Sequence, residues 1–122
     1  MSIGLLLADD SDATRRAIKL LLAAEPNIEI VAEAVSFADV VRMSTTLKPD
    51  VVVMDLHMRD ERDFDPARTK SHLLSCTKRV LAMSIWIDEE SRTLAADYGA
   101  IALLDKTRLA SELVPAIIQV SQ

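Results

Sequence analysis

The chain of 122 residues carries a formal net charge of −5, and 50% of its residues are hydrophobic and 27% charged. This length and composition predict one globular domain over residues 1–122 and exclude a disordered chain. The acidic balance, the lack of Lys/Arg clusters and the scarcity of aromatics argue against direct binding of nucleic acid. No apolar run reaches the about 20 residues that cross a bilayer. A single cysteine predicts a reducing, cytoplasmic environment.

Short apolar runs alternate along the chain with segments whose apolar residues recur at helical spacing. In chain order, the predicted elements are a strand at 3–8, a helix at 12–25, a strand at 29–35, a helix at 37–47, a strand at 51–54, a helix at 65–76, a strand at 80–83, a helix at 88–98, a strand at 100–104 and a helix at 108–121. Four of the strands are almost continuously apolar, which is typical of parallel strands covered on both faces. The run at 29–35 alternates instead and predicts an edge strand with one wetter face.

Local signals mark several helix boundaries. Ser36 and Asp39 form a capping pair before the second helix. Asp88 begins an acidic first turn for the fourth helix, and Gly99 is a typical stop signal for it. Pro115 lies inside the apolar stripe of the last helix, where it predicts a kink or a tight first part.

Five βα units in succession predict an α/β fold built on a parallel sheet. In such sheets, ligands bind beyond the carboxyl ends of the strands, at the point where the strand order reverses. The polar residues at those ends are therefore the candidate site. They are Asp9 and Asp10 after the first strand, Asp55 after the third, Ser84 after the fourth, and Asp105 and Lys106 after the fifth.

The negative charges of the three neighbouring aspartates at this edge repel one another, which limits the protonation and ligand states that the site can adopt. Neighbouring carboxylates raise one another's pKa, so protons or a cation must relieve the repulsion among Asp9, Asp10 and Asp55. Lys106 supplies one positive charge, and Mg²⁺ suits an all-oxygen, water-accessible site better than zinc. Neither histidine has zinc-ligand spacing with the cysteine. A cation, a lysine and the Ser84 hydroxyl around one carboxylate predict a pocket for a phosphoryl group, with Asp55 as its nucleophile.

Each of these residues also has an ordinary explanation when taken alone. Asp9 and Asp10 would be helix caps, Asp55 would end a buried strand at a turn, and Lys106 would be a surface lysine. It is the coincidence of all of them at one edge of the predicted sheet that favours a functional site.

The same residues carry a resemblance to a known family. The segments ADD at 8–10, VVVMDLHM at 51–58, AMS at 82–84 and GAIALLDK at 99–106 resemble the motifs of the receiver domain of bacterial two-component response regulators. The resemblance covers essentially the whole chain. It implies a flavodoxin-like (βα)5 fold, a doubly wound parallel sheet with strand order 2-1-3-4-5, and a signalling domain that is not an enzyme.

The resemblance assigns the acidic residues to two roles. Asp55 would accept a phosphoryl group from a sensor histidine kinase or a phosphotransfer protein. Asp10, Asp55 and the backbone carbonyl of His57 would bind Mg²⁺, and Asp9 would assist through water.

The resemblance also implies how the signal is passed on. Lys106 would pair with the phosphoryl oxygens, and Ser84 would turn to hydrogen-bond the phosphoryl group. That movement would shift the surface formed by the fourth helix, the fifth strand and the fifth helix. Thr107 stands where many relatives have a proline after the lysine. The ending GAIALLDK at 99–106 and Ile85 after the serine look closer to receivers that precede a helix-turn-helix DNA-binding domain. Such a domain would lie outside this chain, and the last helix is the default face for a homodimer.

Three positions depart from the family pattern. Arg59 and Asp63 stand four and eight residues after the acceptor aspartate, where proline and glycine are usual. The loop at 59–65 is heavily charged and is interpreted as a solvated face, or alternatively as a surface that selects a kinase partner. Leu103 stands where an aromatic commonly reports the switch. Leucine has no polar group to toggle between buried and exposed positions, so the switch would be damped, or it would be reported elsewhere by Trp86 or Tyr98.

Two other functions stay open at this point. The departures slightly favour a phosphorylation-independent pseudo-receiver, an interaction module, whereas the complete acidic set opposes it. A small Mg²⁺-dependent phosphatase with an aspartyl nucleophile would normally need a second acid two positions after Asp55, where His57 stands.

Overall fold

The computed structural model describes residues 2–122, which form five strands and five α-helices in strict alternation. The strands are β1 (Ile3–Ala8), β2 (Ile28–Ala34), β3 (Val51–Asp55), β4 (Arg79–Ser84) and β5 (Ala102–Asp105). The helices are α1 (Asp12–Leu22), α2 (Phe37–Leu47), α3 (Pro66–Cys76), α4 (Glu89–Asp97) and α5 (Leu109–Val120). Short 3₁₀ helices at Glu61–Asp63 and Lys106–Arg108 precede α3 and α5.

All five strands are parallel and lie in the order β2-β1-β3-β4-β5, which confirms the expected flavodoxin-like topology. The chain crosses from the β2 side to the β3 side of β1, so the strand order reverses between β1 and β3. Ala8 pairs with Met54, and Ser84 pairs with Asp105, so the ends of the strands are level with one another. This register places the residues that follow β1, β3, β4 and β5 along one rim.

The sheet has a hydrophobic core on each face, because successive side chains of a strand point to opposite sides. One core lies under α2, α3 and α4, and the other lies under α1 and α5. In β3, Val52 and Met54 belong to the first core, whereas Val51 and Val53 belong to the second. Burial on both faces explains the continuous apolar runs, and each fully buried side chain contributes roughly 1.5–3 kcal/mol.

The edge strand β2 alternates as predicted. Ile28 and Ala34 at its ends are buried, whereas Glu29 and Val31 are exposed. Its pairing with β1 shifts register between Leu5 and Leu6.

Several boundaries differ from those predicted. Strand β5 begins at Ala102 rather than at residue 100, because the segment from Gly99 is a connection in which Ile101 is 58% exposed. Gly99 has φ +84°, and a Cβ there would lie 2.9 Å from Lys70 Cγ, so glycine is needed where α4 ends. Pro115 lies inside α5, which follows the 3₁₀ helix.

Within residues 2–122, no helix has the length and apolar character needed to span a bilayer.

Candidate functional site

Three carboxylates meet at the point where the strand order reverses. Asp9 directly follows β1, Asp10 comes next, and Asp55 is the last residue of β3. One carboxylate oxygen from each lies within 4.8 Å of the other two. Asp9 is fully buried and Asp55 is 6% exposed, whereas Asp10 is partly exposed. The arrangement is therefore a concentrated negative charge that opens to solvent on the side of Asp10.

A lysine from the far end of the chain bridges two of these carboxylates. Lys106 directly follows β5, and its Nζ donates to Asp9 Oδ2 at 2.7 Å and to Asp55 Oδ2 at 3.2 Å. The three residues are far apart in sequence, with 97 positions between Lys106 and Asp9 and 51 between Lys106 and Asp55. One ammonium offsets only one of the three carboxylate charges, so protons or a further cation would be needed to offset the rest.

The pKa values of this cluster reflect the crowding. Burial, followed by the charge of Asp9, raises the pKa of Asp55 above its ordinary value, although Lys106 and the His57 N–H oppose the shift. For Lys106, burial alone would lower the pKa. The hydrogen bond to Asp9 and the charges of Asp55 and Asp9 outweigh that effect and raise it, so the lysine stays protonated.

Backbone N–H groups orient two of the carboxylates. Ser11 N donates to Asp9 Oδ1 at 2.8 Å, and His57 N donates to Asp55 Oδ1 at 3.2 Å. The N-cap of α1 is Ser11, whose hydroxyl accepts a hydrogen bond from Thr14 N. The ordinary explanation of Asp9 and Asp10 as the caps of this helix therefore does not describe their position.

The donor set fits a hard divalent cation. The three aspartates present only oxygen atoms, two of them are buried, and the third faces water, which suits Mg²⁺ and its retained water ligands. The imidazole of His57 is engaged elsewhere, because its Nδ1 lies 2.9 Å from Glu61 Oε2 and its ring meets the edge of Trp86 with centroids 5.7 Å apart. Of His57, only the backbone is placed to serve the acidic cluster.

Ser84 and Asp105 end neighbouring strands but behave differently. Ser84 is 1% exposed, and its hydroxyl accepts a hydrogen bond from Trp86 N at 3.0 Å. Asp105 accepts hydrogen bonds from the backbone N and the hydroxyl of Thr107, and these hydrogen bonds lower its pKa. Asp105 is therefore a turn residue, whereas the Ser84 hydroxyl lies at the rim in a bond that a ligand could replace.

The aromatic candidates for reporting a switch occupy opposite environments. Trp86 is 55% exposed beside His57. Tyr98 is buried and stacks on Phe37, with centroids 5.1 Å apart and an interplanar angle of 6°. Burial and the nearby acids raise the pKa of Tyr98 to about 12. Leu103, at the position expected to hold an aromatic, is partly buried and packs against the same core.

The charged loop after β3 is only partly a solvated face, which corrects the interpretation from sequence. Arg59 and Asp63 are exposed, but the Asp60 carboxylate accepts hydrogen bonds from Phe37 N at 2.9 Å and from Ala38 N at 3.0 Å. Sequence reasoning missed Asp60 because its partners lie 22 and 23 positions away. No local pattern signals such a contact.

Curated relatives are similar in sequence to this chain along most of its length. LiaR, a transcriptional regulatory protein from Bacillus subtilis (strain 168), is 32% identical over 115 residues, which cover 94% of this chain and 54% of LiaR. The response regulator protein VraR from Staphylococcus aureus (strain NCTC 8325 / PS 47) is 30% identical over 122 residues, covering 100% of this chain and 58% of VraR. The chain therefore spans little more than half the length of these relatives.

Solved structures share the fold. The signal receiver domain of NarL from Mycobacterium tuberculosis superimposes with a TM-score of 0.85 at 24% identity, covering 98% of this chain and 96% of that one. A LuxR-family DNA-binding response regulator from Staphylococcus aureus gives a TM-score of 0.80 at 24% identity, covering 98% and 99%. The sequence model of the response regulator receiver domain matches residues 5–118. The chain belongs to the response regulator receiver domain family.

Proposed function

We propose that this receiver domain is a phosphoryl-accepting switch in which Asp55 takes the phosphoryl group from a sensor histidine kinase or a phosphotransfer protein. The observation that carries the proposal is the contact of Lys106 Nζ with both Asp9 and Asp55, beside the carboxylate of Asp10. A lone strand-end aspartate would need no such partners. An acidic cluster with one bridging ammonium is suited to binding a metal ion and a phosphoryl group together.

The chemistry assigned to the residues is a simple displacement. An oxygen of the Asp55 carboxylate attacks phosphorus, an O–P bond forms, and the bond from phosphorus to the donor nitrogen breaks with its electron pair leaving on that nitrogen. Lys106, already at 3.2 Å from Asp55 Oδ2, pairs with an oxygen of the transferred group. Asp10, Asp55 and the backbone carbonyl of His57 would hold the cation, and Asp9 would assist through water. When bound there, Mg²⁺ supplies positive charge that neutralises the phosphoryl oxygens.

The signal would be passed on through the hydroxyl of Ser84, at the end of β4. Ser84 leaves the Trp86 N–H and donates to the phosphoryl group, which moves the β4–α4 connection and alters the surface of α4, β5 and α5. We assign that surface to the control of a DNA-binding output domain outside this chain, as in a transcriptional regulator, or to a homodimer through α5. The protein would act in the cytoplasm, with no catalysis beyond its own phosphorylation and dephosphorylation.

Mass spectrometry after incubation with acetyl phosphate and Mg²⁺ tests the acceptor. The wild type should gain one phosphate, and Asp55→Asn should gain none, because an amide is a poor nucleophile. Asp105→Asn is the matched control, since it removes a strand-end carboxylate outside the cluster, and it should be phosphorylated like the wild type. A wild type that takes up no phosphate, or an equally modified Asp55→Asn, contradicts the proposal.

The second candidate is a phosphorylation-independent pseudo-receiver, favoured by the leucine at position 103 and by the unusual loop after β3. Titration with Mg²⁺ and beryllofluoride, which mimics a phosphoryl group, separates the two candidates. A phosphoacceptor should show saturable binding of both ligands, whereas a pseudo-receiver should show no binding. Steady hydrolysis of a phosphate ester would instead support a phosphatase.

A further inference from the structure

The backbone conformation of the loop that follows Asp55 depends on contacts with the rest of the domain. Residues 56–63, with the sequence LHMRDERD, contain neither glycine nor proline. No residue in this segment has a fixed φ, so the backbone has no built-in restriction of the kind that proline gives, and ordering it costs conformational entropy. The conformation must therefore be imposed by contacts with the rest of the domain. This matters because the loop contains His57.

The loop is tied to the domain on both sides of His57. On one side, Leu56 N donates to Met83 O at 3.0 Å, which continues the pairing of β3 with β4. On the other side, the carboxylate of Asp60 accepts hydrogen bonds from Phe37 N and Ala38 N at the start of α2. Three residues lie between these two hydrogen-bonded anchors, and the side chain of the middle one, Met58, is buried in the core.

The Asp60 carboxylate binds the N-terminus of α2, which is held in the hydrophobic core. The first turn of a helix has N–H groups without helical partners and a positive dipole end, both of which favour a carboxylate. Ser36 already caps α2 through Asp39 N at 3.1 Å, so Asp60 occupies two further N–H groups. The ring of Phe37 is fully buried and stacks on Tyr98, which holds this helix start in the core.

Asp60 differs from the other aspartate caps in what it connects. Asp65 and Asp88 each accept a hydrogen bond from an N–H three residues later, within the helix they begin. The bonds of Asp60 span 22 and 23 residues and join two separate segments. Its carboxylate therefore links the loop to α2 rather than completing a local helix start.

We propose that Asp60 is a positioning residue for the acceptor site. By tying the loop to α2, it fixes the backbone of His57, whose N–H holds Asp55 Oδ1 and whose carbonyl completes the cation site. This inference rests on the proposed function for the role of that carbonyl. The anchoring itself does not depend on it.

The substitution Asp60→Asn tests the anchor with little change in size. Asparagine has one acceptor oxygen, so its NH₂ group would face one of the two helix N–H groups, and that bond is lost. Asp65→Asn is the matched control, because Asp65 lies just beyond this loop and caps α3. Because the side-chain carboxylate of Asp65 accepts one N–H, from Arg68, an asparagine there keeps that bond.

Two measurements are made on wild type and both variants. Hydrogen exchange without divalent ions should show faster exchange at residues 56–61 in Asp60→Asn alone. Calorimetric titration with Mg²⁺ should show about tenfold weaker affinity in Asp60→Asn, the size seen when partners behind metal ligands are removed, and a change within about twofold in Asp65→Asn. Unchanged exchange and affinity in Asp60→Asn, or equal losses in both variants, would overturn the inference.

Acetyl phosphate labelling at saturating Mg²⁺ separates this inference from the proposed function. Asp60→Asn should still be phosphorylated on Asp55, because excess Mg²⁺ compensates for weaker binding. A wild type that binds Mg²⁺ but takes no phosphate overturns the proposed function only. A wild type that binds no Mg²⁺ overturns both.

Discussion

The hydroxyl of Ser84 accepts a hydrogen bond from the backbone N–H of Trp86 at 3.0 Å, so the rim hydroxyl and the only tryptophan are directly linked. If Ser84 turns toward a phosphoryl group, that N–H loses its partner and the β4–α4 connection must move. The exposed indole, which meets His57 at its edge, then changes environment.

We therefore expect the fluorescence of Trp86 to change when Mg²⁺ and beryllofluoride are added. Ser84→Ala should still bind the analogue but give a much smaller change, because its side chain cannot make the bond. Asp55→Asn should give no change. Equal responses from wild type and Ser84→Ala would show that the indole reports occupancy of the site rather than movement of Ser84.

Asp55→Asn should also stabilise the domain in the absence of divalent ions. The pKa of Asp55 is raised in the folded state, so as the pH rises the unfolded chain loses this proton first. The carboxylate therefore costs stability at every pH above its folded pKa, and the cost disappears in acid, where both states are protonated. We expect a gain on the order of 1 kcal/mol in the free energy of unfolding by urea at neutral pH.

The control for this gain is Asp105→Asn. The pKa of Asp105 is lowered by hydrogen bonds from Thr107, so removing its charge should give no stabilisation. The gain in Asp55→Asn should also shrink as the pH falls toward the ordinary range for aspartate. A pH-independent gain, or the same gain in both variants, would contradict the electrostatic explanation.

Tyr98 should make the domain sensitive to alkali. Its pKa is about 12 in the folded state against an ordinary value of 10.0, so the unfolded state releases the phenolic proton first. The free energy of unfolding should therefore fall as the pH rises through about 10 towards 12, and Tyr98→Phe should remove that part of the fall. Absorbance of the single tyrosine, followed in the folded protein and in guanidinium, measures the two pKa values directly. Identical titrations would show that the phenol is not shielded.

The parallel sheet and the meeting of the acids could be predicted because simple rules govern both, whereas the strand order was implied by the resemblance to receiver domains. Continuous apolar runs identify parallel strands, and level strand ends bring Asp9, Asp55 and Lys106 to one rim. The expected receiver fold and family membership are confirmed. A place at the end of a strand does not by itself distinguish Asp105 from Asp9 and Asp55. Its hydrogen bonds from Thr107 depend on local turn geometry.

Features that depend on distant partners were not accessible from sequence. Asp60 lies in a run of charges that resembles a solvated loop, yet its oxygens reach the start of α2. Ile101 is apolar but exposed, so hydrophobicity alone predicts a start of β5 that is too early. Ala23 and Ala24 favour helices, so the sequence predicts that α1 continues past Leu22, where it ends.

The long sequence separation between Lys106 and Asp9 makes the completed site depend on the last strand of the sheet. Because Lys106 directly follows β5, its ammonium lies beside Asp9 and Asp55 only where β5 is paired with β4, so a misfolded chain would present Asp55 without this cation. If Asp55 is the phosphoryl acceptor, as we propose, efficient phosphate uptake would then be restricted to folded molecules. The same dependence would allow phosphate uptake to serve as an assay of correct folding for engineered versions of this domain.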